Sequence, residues 1–349
     1  MTAVPSDLMT AAVYRGDGRI EVDEVPVPQP RPGELLVEVA ECGICGSDLH
    51  LVLEQYARPG AILGHEWSGT VVAGNGVGPD RPVGARVVSN PSPGCGTCRP
   101  CRRGRPSVCL RREPSDLRDM RGAFARYLRV PADRTLVIPD SLGLRAAALA
   151  EPTAIAVHAV DLSGVGPDDR VLVTGGGPIG LLIVSVLRAR GIGDITVSEP
   201  SEPRRRRAMA LGARSALLPE ELDDPPPAGV VPTPVDVAFE CSGRPSAGAQ
   251  ALDQLDRAGT LVFVGTGPVP VPVNHNRMII LELDVLGAYN YSAEGFGPAV
   301  DLLAGGAVPV DLLLEPVDVP LDRVMVAMEQ MGRGEVTGKV LVSPDGHRP

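Results

Sequence analysis

The sequence predicts an α/β protein of two domains, a β-rich domain followed by a doubly wound parallel sheet. The chain has 349 residues, which at roughly 150 residues per domain indicates two domains. Short alternating apolar segments such as 35–39 and 68–72, separated by glycine and proline, are typical of β-strands. Beyond residue 168, apolar runs at 171–174 and 195–198 flank a helical segment at 179–190. Strand, helix and strand in this order predict a parallel α/β unit.

Later segments continue this alternation of strand and helix, which fits a single doubly wound sheet. The further predicted strands are 216–218, 235–239, 261–264 and 285–288. A last strand at 338–342 is predicted to return to the first domain. We therefore expect residues 1–152 plus 289–349 to form the β-rich domain and residues 153–288 to form the doubly wound domain.

Composition and charge exclude several classes of protein. With 44% hydrophobic and 22% charged residues, the chain lies in the range of globular proteins. Its 33 basic residues against 43 acidic ones disfavour a nucleic-acid partner, because such a partner requires a basic surface. Two uncharged stretches, 171–187 and 258–276, contain glycine and proline and do not predict a membrane span. No secretory signal is predicted, so we expect a cytoplasmic protein without membrane or nucleic-acid partners.

A cluster of cysteines predicts a structural zinc site. Cys95, Cys98 and Cys101 are spaced by two residues each, and Cys109 follows after seven more. Four thiolates complete a tetrahedral zinc shell and leave no open position, so such a site is structural. Clustered cysteines in a reducing compartment are more often metal ligands than disulfides. Disulfides and an iron–sulfur cluster are the alternatives.

A second group of residues predicts a catalytic zinc site. Cys45 is followed by the pair His65 and Glu66, and Glu151 lies much later in the chain. A cysteine, a histidine and a carboxylate leave one zinc position open for an oxygen of substrate or water. Taken alone, His65 is more typical of a core histidine, but its flanking Gly64 and Glu66 favour the metal.

Two further residues beside Cys45 predict a path for a proton. Ser47 offers a hydroxyl close to the metal-bound oxygen, and His50 offers a titratable group. Histidine changes its charge near neutral pH and can pass a proton toward solvent. We expect both residues to be catalytic.

A glycine-rich motif predicts a dinucleotide site. Gly175, Gly177 and Gly180 follow a predicted strand and open a predicted helix, which makes this pattern specific. The first glycine permits a tight turn, the second lets the pyrophosphate approach, and the third allows close helix–strand packing. Glu199 lies about 20 residues on, where a carboxylate binds the ribose hydroxyls and disfavours NADP. The arginines at 204–207 offer the opposing alternative, neutralisation of a 2′-phosphate, or they form a solvated helix face.

These motifs together resemble the zinc-containing medium-chain alcohol dehydrogenases over nearly the whole chain. The sequence around Cys45, His65 and Glu151 is most similar to the polyol branch, which includes sorbitol, threonine and butanediol dehydrogenases. The resemblance implies a GroES-like catalytic domain with an inserted Rossmann domain. It implies that Cys45 and His65 bind the catalytic zinc, with either Glu66 or Glu151 as the third ligand, and that the four-cysteine cluster binds the second zinc. It also assigns the proton relay to Ser47 and His50.

The resemblance further implies a set of cofactor contacts. They comprise the glycine motif Gly175, Gly177, Pro178, Ile179 and Gly180, then Glu199 and Arg204, the turn Val264, Gly265 and Thr266, and the strand end Ala288, Tyr289 and Asn290.

We therefore expect a zinc-dependent oxidoreductase that transfers hydride between a secondary alcohol or polyol-like substrate and NAD. Two zinc ions per chain and a homo-oligomer, dimer or tetramer, are implied, with 283–288 as a candidate segment for pairing between subunits. One alternative is an NADP-linked reductase of a sugar or secondary-metabolite carbonyl. The other is a non-catalytic sensor that binds zinc and a dinucleotide.

Overall fold

The chain folds into two compact units in a computed structural model that describes residues 7–89, 94–111, 121–226, 229–291 and 297–345. The first unit comprises Met1–Glu151, Ala293–Ala304 and Leu314–Pro349, and the second comprises Pro152–Ser292 and Gly305–Leu313. The predicted β-rich segment 289–349 is thus divided, because 289–292 and 305–313 belong to the second unit. The exact domain boundaries stay a prediction.

The first unit is built on antiparallel strands, as its alternating apolar pattern predicts. Its strands are β1 (Leu8–Gly16), β2 (Arg19–Pro26), β3 (Glu34–Gly43), β4 (Glu66–Asn75), β5 (Arg86–Ser89), β6 (Tyr127–Pro131), β7 (Thr135–Val137) and β14 (Leu341–Val342). Strands β1 and β2 form a hairpin, and the larger sheet has the order β14-β3-β4-β5-β7, with β6 also paired to β3.

Short helices connect these strands and position the predicted zinc ligands. They are α1 (Gly46–Leu53), α2 (Arg99–Arg102), α3 (Leu144–Ala147), α9 (Gly297–Ala304) and α11 (Val324–Gly332). Gly43 at the end of β3 pairs with Glu66 at the start of β4. Helix α1 begins directly after β3, so Cys45 at its N-cap lies at the same end of this strand pair as Glu66.

The second unit is the predicted doubly wound sheet. Its strands are β8 (Arg170–Thr174), β9 (Asp194–Ser198), β10 (Ser215–Leu217), β11 (Val235–Glu240), β12 (Leu255–Phe263) and β13 (Asp284–Gly287). Its helices are α4 (Ala150–Ser163), which begins in the first unit, α5 (Pro178–Ala189), α6 (Glu202–Ala210), α7 (Pro245–Asp253), α8 (His275–Ile280) and α10 (Val310–Leu313).

The order of these strands determines where a ligand binds. The sheet is parallel with the order β10-β9-β8-β11-β12-β13. The chain starts at the centre with β8, moves outward to β10 and then crosses back to β11. Ligands of such sheets bind beyond the carboxyl ends of the strands at this switch point. The loop after β8 therefore lies at the expected place for a cofactor.

Each unit has its own apolar core. Leu35, Leu36 and Val37 of β3 and Phe124 are inaccessible to solvent in the first unit. In the second unit every residue of α5 from Gly180 to Leu187 is buried, which explains why this segment is uncharged without spanning a membrane. Among the described residues, no helix combines the length and apolar character needed to cross a bilayer.

Candidate active site

The predicted structural zinc ligands lie together. The sulfur atoms of Cys95, Cys98, Cys101 and Cys109 are all within 4.8 Å of one another. All four are free thiols, so the disulfide alternative is not what the structure shows. Hydrogen bonds from the Thr97 hydroxyl and from backbone N–H groups lower the pKa of Cys95 to about 5. A thiolate is the form that binds metal, and a set of four sulfur donors fits tetrahedral zinc.

The predicted catalytic zinc ligands also meet, within the first unit. Ligand atoms of Cys45, His65 and Glu66 lie within 4.8 Å of one another. Sulfur, imidazole and carboxylate donors with a fourth position left over fit a catalytic zinc. Glu151, the other candidate carboxylate, is buried at the start of α4 and is not part of this group among the described residues. Which of the two carboxylates binds zinc stays a prediction.

The Asp48 carboxylate interacts with two of these candidate ligand residues, Cys45 and His65. It is fully buried, its Oδ2 accepts a hydrogen bond from the Cys45 N–H at 3.0 Å, and its Oδ1 lies 3.6 Å from His65 Nδ1. Burial of His65 disfavours its protonated form, but the charge of Asp48 outweighs burial and raises the pKa of His65. A carboxylate behind a histidine ligand orients the ring and increases its basicity. Sequence reasoning assigned no role to Asp48, although it lies inside the Cys45 motif.

Lys339 is a second residue that sequence reasoning missed. Its Nζ is buried and donates hydrogen bonds to Glu66 Oε1 at 2.7 Å and to the Ile44 carbonyl at 3.2 Å. A Cβ on Gly43 would lie 2.2 Å from Glu66 Oε2, so a glycine is required where the carboxylate crosses β3. The available signal was a lysine within the predicted strand 338–342.

The two predicted relay residues occupy one short helix. Ser47 lies in the first turn of α1 and His50 in its last turn, and residues three apart on a helix share a face. His50 Nδ1 lies 2.6 Å from Glu54 Oε1. Their part in proton transfer stays a prediction.

The glycine motif has the geometry that a pyrophosphate requires. Gly175 has a φ of +99°, a left-handed conformation that favours glycine. A Cβ on Gly180 would lie 1.9 Å from the Gly175 carbonyl oxygen, whereas a Cβ on Gly177 would have no neighbour within 4 Å. Gly177 is the N-cap residue of α5 and has no side chain that could cap the N–H groups at this helix end. Open space in front of N–H groups at a helix N-terminus fits a phosphate.

Glu199 lies beside this loop at the carboxyl end of β9. Its carboxylate is buried and accepts hydrogen bonds from the Gly176 N–H at 2.7 Å and the Ser201 N–H at 2.8 Å. These bonds hold a negative charge where the ribose of a dinucleotide is expected.

The remaining predicted cofactor residues follow strands at the same edge of the sheet. Val264, Gly265 and Thr266 come after β12, Ala288, Tyr289 and Asn290 come after β13, Pro178 and Ile179 begin α5, and Arg204 lies in α6. Glu240 at the end of β11 was not predicted. Its Oε1 accepts bonds from the Ser242 and Gly243 N–H groups at 2.7 and 3.0 Å, which holds the loop after β11 against Gly265.

Comparison with known proteins agrees with this reading of both units. Residues 31–140 match the model of the alcohol dehydrogenase GroES-like domain, and residues 178–305 match that of the zinc-binding dehydrogenases. Sorbitol dehydrogenase of Bacillus subtilis (strain 168) is 32% identical over 343 residues, which cover 95% of each chain. L-threonine 3-dehydrogenase of Pyrococcus furiosus is 36% identical over 333 residues, which cover 92% of this chain and 94% of the relative.

A solved structure has the same fold. A zinc-binding dehydrogenase from Sinorhizobium meliloti 1021, bound to NADP, has a TM-score of 0.86 at 32% identity and covers 97% of this chain and 100% of its own. The predicted fold class, a GroES-like domain with a Rossmann domain, is confirmed. The chain belongs to the zinc-containing medium-chain alcohol dehydrogenase family, in its polyol branch, and is an oxidoreductase that uses zinc and a nicotinamide dinucleotide.

Proposed function

We propose that this enzyme oxidises a secondary hydroxyl group of a polyol or related alcohol with NAD, and reduces the corresponding carbonyl in the reverse direction. Sorbitol and L-threonine, the compounds in the names of its relatives, both carry a secondary hydroxyl. The observation that carries the choice of NAD is the buried Glu199 carboxylate, held by two backbone N–H groups.

Three of the four arginines of α6 bind other groups of the protein, and the fourth, Arg204, is the predicted cofactor contact. Arg205 donates to the Glu199 and Pro200 carbonyls at 2.7 and 2.8 Å. Arg206 pairs with Glu202, and Arg207 donates to the Leu312 carbonyl at 3.2 Å. A 2′-phosphate at this position would face the negative charge of Glu199, and these three arginines already have protein partners. The alternative, an NADP-linked reductase, is favoured by the NADP in the Sinorhizobium meliloti relative.

In this proposal, residues of the first unit bind the metal and transfer the proton. Cys45 and His65, with Glu66 as the carboxylate nearest to them, would hold the zinc; when bound, zinc would polarise the substrate oxygen and the dinucleotide would take up hydride. Ser47 accepts the hydroxyl proton at its Oγ as it donates its own toward His50. His50 releases that proton to solvent.

Initial rates with NAD and NADP test the choice of cofactor. We expect the wild type to favour NAD with sorbitol, L-threonine, 2,3-butanediol or another secondary alcohol. Glu199→Ala should lose that preference, because its carboxylate no longer binds the ribose or repels a 2′-phosphate. The control is Glu220→Ala, which removes an exposed glutamate of the same unit. A wild type that favours NADP, with a ratio unchanged in Glu199→Ala, would establish the alternative.

Metal analysis tests the assignment of both zinc sites. We expect about two zinc ions per chain, and Cys45→Ala or His65→Ala should abolish turnover while NAD still binds. Full activity in either variant would contradict the catalytic zinc site.

We also propose a homo-oligomer formed through the edge of the second unit. Strand β13 is the last strand of its sheet, and among the described residues Ile279 and Ile280 of the neighbouring α8 are 69% and 57% exposed. An edge strand beside exposed apolar side chains is suited to pairing with another subunit. Light scattering should give a dimer or tetramer for the wild type and a smaller species for Ile279→Lys/Ile280→Lys.

We also propose a cytoplasmic location. The cysteines are free thiols, which fits the reducing environment of the cytoplasm.

A further inference from the structure

Helix α1 carries a histidine–carboxylate pair of which the predicted relay includes only the histidine. His50 lies in its last turn and Glu54 is its C-cap residue. The two residues are four positions apart, so their side chains meet on one helix face. His50 Nδ1 and Glu54 Oε1 lie 2.6 Å apart, and the side chains are 41% and 33% exposed. The pair therefore lies at the boundary between the protein and solvent.

The position of Glu54 is not explained by helix stability. The C-terminus of a helix carries a partial negative charge, so a carboxylate there is unfavourable and a cation is favourable. A contact with His50 Nδ1 is the interaction that the structure gives to the Glu54 carboxylate. Asp48, the other acidic residue of α1, instead accepts from the backbone N–H groups of Cys45 and Gly64. Glu54 is the carboxylate of this helix that contacts His50.

We propose that Glu54 is a positioning residue for proton transfer, which holds His50 in the tautomer that accepts the substrate proton. The inference rests on the proposed function. Nδ1–H donates to Glu54 Oε1, which leaves the lone pair of Nε2 as the acceptor. The proton that Ser47 releases ends as an N–H bond at Nε2, and Ser47 regains a proton from the substrate hydroxyl. The imidazolium, stabilised by Glu54, then gives its proton to water.

Glu54→Gln in the zinc-loaded full-length enzyme tests this role. The amide keeps the size of the side chain but loses the charge that stabilises the imidazolium. We expect kcat for alcohol oxidation to fall about tenfold, while the KM for NAD and the zinc content stay unchanged. Added imidazole should restore kcat in proportion to its concentration, because a small base can take over the proton. Glu21→Gln is the matched control, since Glu21 is an exposed carboxylate that pairs with Arg15.

A double-mutant cycle separates this role from a general effect of charge. If Glu54 acts through His50, Glu54→Gln should cause no further loss in a His50→Gln enzyme, because residues that act as one unit are not additive. An unchanged kcat in Glu54→Gln, losses that add, or a loss that imidazole does not reverse would each overturn the inference. Those outcomes leave the proposed function intact provided that the wild type oxidises alcohols with NAD. A wild type inactive with every alcohol would overturn both.

Discussion

Replacement of Lys339 by methionine should destabilise the first unit strongly. Methionine matches the length of the lysine stem but leaves the Glu66 carboxylate without its cation. Glu66 is 0% exposed and Lys339 is 3% exposed, so water cannot take the place of the lost partner. Removing one member of a buried ion pair typically costs about 3–5 kcal/mol.

This cost should appear as a large shift in thermal stability. At about 2–4 °C per kcal/mol for a unit of this size, Tm should fall by roughly 10 °C. Neighbouring negative charges, Glu66 first among them, outweigh burial and raise the pKa of Lys339 above its ordinary 10.5. A raised lysine pKa contributes stability below the ordinary value and loses it above. Lys339 therefore does not titrate between pH 6 and 9, and the difference in unfolding free energy between variant and wild type should be constant over that range.

The fluorescence of one residue reports the relevant transition. Trp67 is the single tryptophan, is 4% exposed and directly follows Glu66, so urea unfolding followed by its emission monitors the first unit. Arg333→Met is the control, because Arg333 pairs with Glu335 on the surface and such pairs contribute little. A zinc ion at the proposed site would supply another positive charge beside Glu66, so the loss should be smaller in zinc-loaded protein than after chelation. A midpoint for Lys339→Met equal to that of Arg333→Met would refute this account.

Three further predictions concern a glycine, a half-buried acid and the structural zinc. Gly64→Ala should lower Tm and catalytic zinc content, because φ is +92° and a Cβ would lie 2.8 Å from Cys42 Sγ; normal values of both would contradict the reading. Burial raises the pKa of Glu41 to about 8, so wild-type stability should fall as pH rises from 4.5 to 8. Glu41→Gln should remove that slope in urea unfolding, and an unchanged slope would exclude Glu41 as its cause. Cys109→Ser should remove one zinc ion per chain in elemental analysis while Cys45 keeps the other, so retention of both would argue against a four-cysteine site.

Features that depend on neighbours in the chain could be predicted from the sequence. The expected helix 179–190 is observed as Pro178–Ala189, because strand, glycine turn and helix follow one another and their conformations are local. Four cysteines within fifteen residues are likewise kept near one another by the short chain between them, and their sulfur atoms are observed together. The resemblance implied a site of Cys45 and His65 with either Glu66 or Glu151, and the pairing of β3 with β4 places Glu66 beside the first two.

Contacts between distant residues were decided by the tertiary structure. Lys339 is 273 positions from Glu66, and no spacing rule connects them; they meet because the C-terminal strand β14 pairs with β3. The loop glycines after β11 and β12 touch through Glu240 only once these strands are adjacent in the sheet. The sequence by itself determined the local motifs and the donor types of both metal sites. Which charges are buried beside those donors was decided by strand pairing, because burial and pairing depend on neighbours in space rather than in the chain.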